Sequence, residues 1–134
     1  MSSDGTAAEP AVITKISPRS FADTVARLTD LISERGMRQF AVIDQRAEAQ
    51  TAGLDLRDTV LVLFGSPAAG TPVMAAAPLA ALDLPLKVLI WADDGQVKVS
   101  YTAPGQIGAR YQLSPELTAR LAGIGPLTDA LVAH

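Results

Sequence analysis

The chain has 134 residues, enough for one domain with a substantial core and too few for two ordinary ones. Apolar residues make up 49% and charged residues 19%, a globular rather than a disordered profile. With 11 Lys and Arg against 14 Asp and Glu, the net charge is −3 and no basic excess points to nucleic acid; the lack of cysteine excludes disulfides, thiolate nucleophiles and Cys-ligated metals together.

Residues 1–10, MSSDGTAAEP, are small, polar and acidic, with neither a basic nor an apolar region of the kind a secretory signal needs. They read as a flexible leader before a single domain over 11–134. AVITKIS (11–17) alternates and predicts a strand, with Val12, Thr14 and Ile16 on one face and Ile13 and Lys15 on the other. Ser17-Pro18 or Ser20 then starts a helix whose stripe is Phe21, Val25, Leu28 and Ile32, and Gly36 stops it. RQFAVID (38–44) predicts a second strand, and Ala47–Ala52 a short helix ended by Gly53.

Thr59–Phe64 is continuous and apolar, as a strand covered on both faces would be. Thr71-Pro72 predicts a helix start, with Thr71 as cap and Pro72 at the first helical position. Leu86–Trp91 and Val97–Thr102 predict the arms of a hairpin, because Asp94-Gly95 suits a turn with positive φ at both central residues. Ser114-Pro115-Glu116 starts another helix, broken by Gly123, Gly125 and Pro126, and a last short helix holds Leu127 and Leu131. The order is β-α-β-(α)-β-(α)-β-β-α: an α+β single domain with helices packed on a largely antiparallel sheet. The apolar stretch 59–91 is interrupted by Pro67, Pro72, Pro78, Asp83 and Pro85, so it predicts no membrane span, and the expected location is the cytoplasm.

Residues 61–74, LVLFGSPAAGTPVM, approach the frame of a phosphate-binding loop. That loop needs a Lys before its Ser or Thr to reach the β/γ-phosphates. Here Thr71 follows Gly70 directly, and Pro72 deletes an N–H donor. The turn-and-cap reading is the better one, with a small anion at the helix start as the remaining ligand option.

The longer stretch FGSPAAGTPVMAAAPLAALDLPLKVLIWADDG carries other information. Together with Ile43-Asp44, Gly53-Leu54, Leu56-Arg57, Ser100-Tyr101, Pro104, Arg110 and Leu113, it resembles domain-of-unknown-function family 302. That resemblance implies a compact α+β homodimer and no established activity. Six polar positions of the family pattern differ here: Gln45, Ser66, Ala68, Ala92, Thr102 and Tyr111 replace His, Asn, Lys, Glu, Asn and His. Frame residues are kept while candidate chemistry is eroded.

The single histidine is His134, the last residue, so neither a His-based metal site nor a Ser–His–Asp triad is expected. Asp44 and Asp83 are the candidates for hydrogen-bonded carboxylates, or are simply cap and turn residues. Arg57, Lys87 and Arg110 are cations in matched motifs. With Ser66, Thr71 and Tyr101 they could hold a small anionic molecule, or form a salt-bridge network at a dimer seam. Trp91 and Tyr101, on neighbouring arms of the hairpin, read as core or interface packing, or as pocket lining. The preferred expectation is a non-catalytic homodimeric domain that binds a small ligand or a partner, with no cofactor, no metal, no nucleic acid and no membrane. The alternative is an enzyme acting on a small anionic metabolite through Asp44, Lys87, Tyr101 and Arg110.

Overall fold

The computed structural model describes residues 10–134, so the expected leader lies, except for Pro10, outside the described residues. Five strands form one sheet: β1 (Val12–Ser17), β2 (Arg38–Asp44), β3 (Thr59–Gly65), β4 (Leu86–Asp93) and β5 (Gln96–Thr102). Their spatial order is β1-β5-β4-β3-β2, and every neighbouring pair is antiparallel. The helices are α1 (Phe21–Glu34), α2 (Gln45–Thr51), α3 (Pro67–Ala76), α4 (Pro104–Arg110), α5 (Pro115–Ala119) and α6 (Ile124–Val132), with a 3₁₀ turn over Pro78–Asp83. The fold is α+β, as the residue pattern predicts.

Local chemistry accounts for most boundaries. Ser20 caps α1 by accepting from the Asp23 N–H at 3.1 Å. Gly36 leaves it at φ +70°, a conformation costly for any residue with a Cβ. Asp94 and Gly95, at φ +51° and +85°, close the β4–β5 hairpin. In β2, Gln39 pairs with Phe64 and Ala41 with Leu63, which leaves Phe40 as the extra residue of a bulge.

One face of the sheet is covered. Val60, Val62, Phe64, Val88, Ile90, Val99 and Tyr101 pack against Leu28, Leu31 and Ile32 of α1 and Ile124, Leu127 and Leu131 of α6. A smaller cluster of Val73, Ala80, Ile107 and Leu121 ties α3, the 3₁₀ turn and α4 together. The register places Val12, Thr14 and Ile16 of β1 on the opposite face, with Lys98 and Ser100 of β5, Leu89 and Trp91 of β4, Leu61 and Leu63 of β3, and Ala41 and Ile43 of β2. Among the described residues no helix covers this face: Val12 is 57% exposed and Ile16 54%. The strand Thr59–Gly65 is therefore not buried on both sides, because Leu61 and Leu63 are only partly buried.

Three boundaries differ from the sequence expectation. Helix α3 starts at Pro67, not Pro72, because Ser66-Pro67 is already a cap followed by a proline; the Ser66 hydroxyl accepts from the Ala69 N–H at 3.4 Å. Thr71 and Pro72 thus lie inside the helix. Gly125 and Pro126 sit within the first turn of α6, where a proline lacks no needed donor. Finally, α4 was hidden by Gly105 and Gly108, which lower helix propensity.

Candidate functional site

A groove of about 760 Å³ lies on the helix-covered side, at the β1 edge. Its floor is the cross-strand pair Ile13 and Tyr101. One wall is α4, contributing Pro104, Gly105, Gly108 and Ala109; the other is α5, the turn after it and the start of α6, with Thr118, Ala119, Ala122 and Gly125. The start of α4 is tied to the chain ahead of β1 by the Ala103 N–H donating to the Ala11 carbonyl at 3.0 Å. Gln112, at φ +54°, turns the chain from α4 toward α5. The walls meet at Gly108, where an added Cβ would stand 2.4 Å from Thr118 Oγ1, so any larger residue would force Thr118 aside.

Lys15 lies beside the floor of the groove. Its Nζ is 2.7 Å from Thr128 Oγ1, 3.2 Å from the Gly125 carbonyl and 2.8 Å from Asp129 Oδ1, and 5.2 Å from the centre of the Tyr101 ring. An ammonium has three donors, and all three are engaged here. Burial pushes the Lys15 pKa down, but Asp129 and Tyr101 outweigh it and hold the group above its ordinary value. The groove itself offers mainly apolar surface, with Gln112, Thr118 and the Tyr101 hydroxyl as its polar side-chain groups.

A second cluster lies where the 3₁₀ turn meets α4. Asp83 Oδ2 accepts from Arg110 Nη1 at 2.7 Å and from the Tyr111 hydroxyl at 2.5 Å. Burial pushes the Asp83 pKa up, yet the bonds from Tyr111 and Arg110 and the charges of Arg110 and Lys87 hold it below the usual carboxylate range. The bond to Asp83 raises the Tyr111 pKa. Asp83, Lys87 and Thr102 line a small cavity of about 30 Å³. Such a space holds about one water. Two of the six departures from the family pattern, Thr102 and Tyr111, thus fall beside one carboxylate. Among the described residues no group of three or more His, Cys, Asp or Glu could hold a metal ion.

The eight candidate residues do not converge. Lys87 and Arg110 meet around Asp83. Asp44 caps α2 by accepting from the Ala47 N–H at 2.9 Å, and Ser66 caps α3. Thr71 is exposed on α3. Arg57 is 3.5 Å from Asp93, which also binds Lys98 at 2.6 Å. Trp91 and Tyr101 lie on opposite faces of the sheet, because Trp91 pairs with Lys98 and Tyr101 with Ile13. The Trp91 indole donates to Ser100 Oγ at 3.0 Å. The groove carries no signature in the sequence because its walls are small residues; of the eight candidates Tyr101 alone lines it.

The sequence matches the family "Domain of unknown function DUF302" over residues 13–126, and the chain belongs to that family. A crystal structure of an uncharacterized conserved DUF302 protein from Bacillus stearothermophilus shares the fold, with a TM-score of 0.78 at 20% identity, covering 91% of this chain and 95% of that one. Among curated proteins, the chain is 33% identical over 122 residues to a protein of Brucella suis named fluoride-specific ion channel FluC 1. The match takes in 87% of this chain and 48% of the relative. A Brucella abortus protein of the same name is also 33% identical, with 45% of it covered. The chain therefore spans about half the length of the curated relatives it matches. Among the described residues no helix is long and apolar enough to cross a membrane.

Proposed function

We propose that this chain is a non-catalytic binding domain that works as a homodimer in the cytoplasm and takes a small, largely apolar molecule or partner segment. The observation that carries this reading is the groove over Ile13 and Tyr101, about 760 Å³ in volume, within the range of small-molecule sites. The neighbouring charges support binding over catalysis. Lys15 has its donors engaged by Gly125, Thr128 and Asp129, and Asp83 is held by Arg110 and Tyr111. A general base or nucleophile needs a lone pair directed at substrate. The small anionic ligand and the enzyme alternative both lose support from the scattering of Asp44, Lys87, Tyr101 and Arg110.

Native mass spectrometry of the purified protein against a denatured control tests this reading. A retained mass that disappears in Ala109→Trp, whose side chain would fill the groove from an exposed position, is the expected result. A mass retained equally by that variant places the ligand elsewhere.

A second reading rests on the relatives. Proteins named as fluoride-specific ion channels carry a region like this chain in about half their length. This domain would then accompany a channel-forming partner. Co-expression with the unmatched half of the Brucella suis relative, followed by detergent extraction, tests it; separate elution counts against it.

A further inference from the structure

We propose that a second copy of this chain covers the open face of the sheet, in an antiparallel face-to-face arrangement in which each β4 lies over its counterpart. This rests on the homodimer reading above and assigns its surface and its axis.

Area is the first argument. Strands lie about 4.8 Å apart and rise about 3.3 Å per residue, so five strands of six residues present a footprint of about 480 Å². Two such faces remove about 1,000 Å² from water before side-chain relief is counted, the lower bound for a specific interface. The centre of the face is apolar, with Leu61 opposite Leu89, Ile43 opposite Leu61 and Trp91 beside them. Three of its polar groups satisfy one another: Thr14 and Ser100 are 2.8 Å apart, and the Trp91 indole donates to Ser100. A hollow of about 220 Å³ between Val12, Leu61, Lys87 and Leu89 leaves room for an incoming side chain. A sheet with the same relief is a fitting occupant, because sheets pack face to face about 10 Å apart with interdigitated side chains.

Charge selects the axis. At one end of the sheet, Arg38 of β2 and Lys87 of β4 form no ion pair among the described residues; Asp83 lies near Lys87 but is paired by Arg110, so this end keeps an excess of positive charge. At the other end, Asp44, Asp55, Asp58, Asp93 and Asp94 outnumber Arg46, Arg57 and Lys98. A two-fold axis in the plane of the sheet and perpendicular to the strands inverts strand direction while keeping each strand over its own copy. The basic end of each chain then meets the acidic end of the other, twice. An axis parallel to the strands would set like ends against each other, an arrangement electrostatics disfavours.

The test is sedimentation over a dilution series, with fluorescence as a second readout, because Trp91 is the single tryptophan and lies in the proposed interface. The expected result is a dimer whose association shifts Trp91 emission to the blue. Leu89→Asp, at the centre, should weaken association at least ~100-fold, as loss of a central anchor does. Lys87→Glu should weaken it by about 10-fold at low salt and less at high salt, because rim charges are screened. If Leu89→Asp fails a circular dichroism check of folding, Ile16→Asp replaces it, since that exposed position tolerates a charge in the monomer. A dimer with unchanged affinity in the folded variants overturns this surface while leaving the homodimer reading intact. A wild-type chain that stays monomeric at every concentration overturns both.

Discussion

The two faces of the sheet are made by the same five strands, yet they solve different problems. On the covered face Val62, Phe64, Val88, Ile90 and Val99 are fully buried, and few polar side chains intrude. On the open face apolar residues alternate with groups that neutralise each other: Thr14 with Ser100, Trp91 with Ser100, and Lys98 with Asp93. The first face sets whether the chain folds. The second is kept presentable to water by internal hydrogen bonds, and its apolar residues are left for something else. The Ser100 position shows the economy of this, since one hydroxyl serves both a neighbouring strand and an indole.

The largest effect should follow from cutting into the covered face. Phe64→Ala removes a fully buried ring and should cost about 3–5 kcal/mol in a denaturant melt, whereas Leu61→Ala on the open face should cost under half of that. Equal losses would erase the distinction between the faces. Next comes the junction of the groove walls. Gly108→Ala forces a Cβ against Thr118 and should cost about 1–3 kcal/mol, with Thr118→Ala restoring part of it in the double variant. A purely additive pair would mean the walls do not touch there.

A smaller effect, and one that depends on pH, belongs to Asp83. Its pKa is depressed in the fold and ordinary, near 3.8, in the unfolded chain. As pH falls, the unfolded chain binds the proton first, so the stability present above the ordinary carboxylate range is lost as pH drops through the folded pKa. Asp83→Asn should therefore lower stability by about 1 kcal/mol at pH 7, and the gap from wild type should close below about pH 4. A gap that stays constant with pH would show that the carboxylate charge contributes nothing. The smallest effect has the opposite sign. Gly70 lies inside α3, and a Cβ there meets only Met74 Cε at 3.9 Å, so Gly70→Ala should stabilise by about 0.5–1 kcal/mol.

Much of the fold was legible because it rests on local rules. Periodicity gave α1, alternation gave β1 and β2, and Asp94-Gly95 gave the hairpin. The same rules place the α3 start one signal too late, since Ser66-Pro67 and Thr71-Pro72 are both acceptable starts and the chain uses the first. The site was less legible. Asp83 was visible as a carboxylate with a role, but its partners Arg110 and Tyr111 lie 27 and 28 residues away. The groove depends on how closely α4 and α5 approach, and that distance is set by one missing Cβ rather than by any reactive group.

The edges of the sheet carry a further consequence. β1 points Lys15 inward, where Asp129 and Thr128 fix it, and β2 is bulged at Phe40. A strand arriving from another molecule at the β1 edge would have to pair beside a rigidly held charge; at the β2 edge it would meet an interrupted ladder. Lateral growth into fibrils is thereby discouraged at both ends. Lys15→Val would remove one of these guards and should raise the light scattering of the concentrated protein.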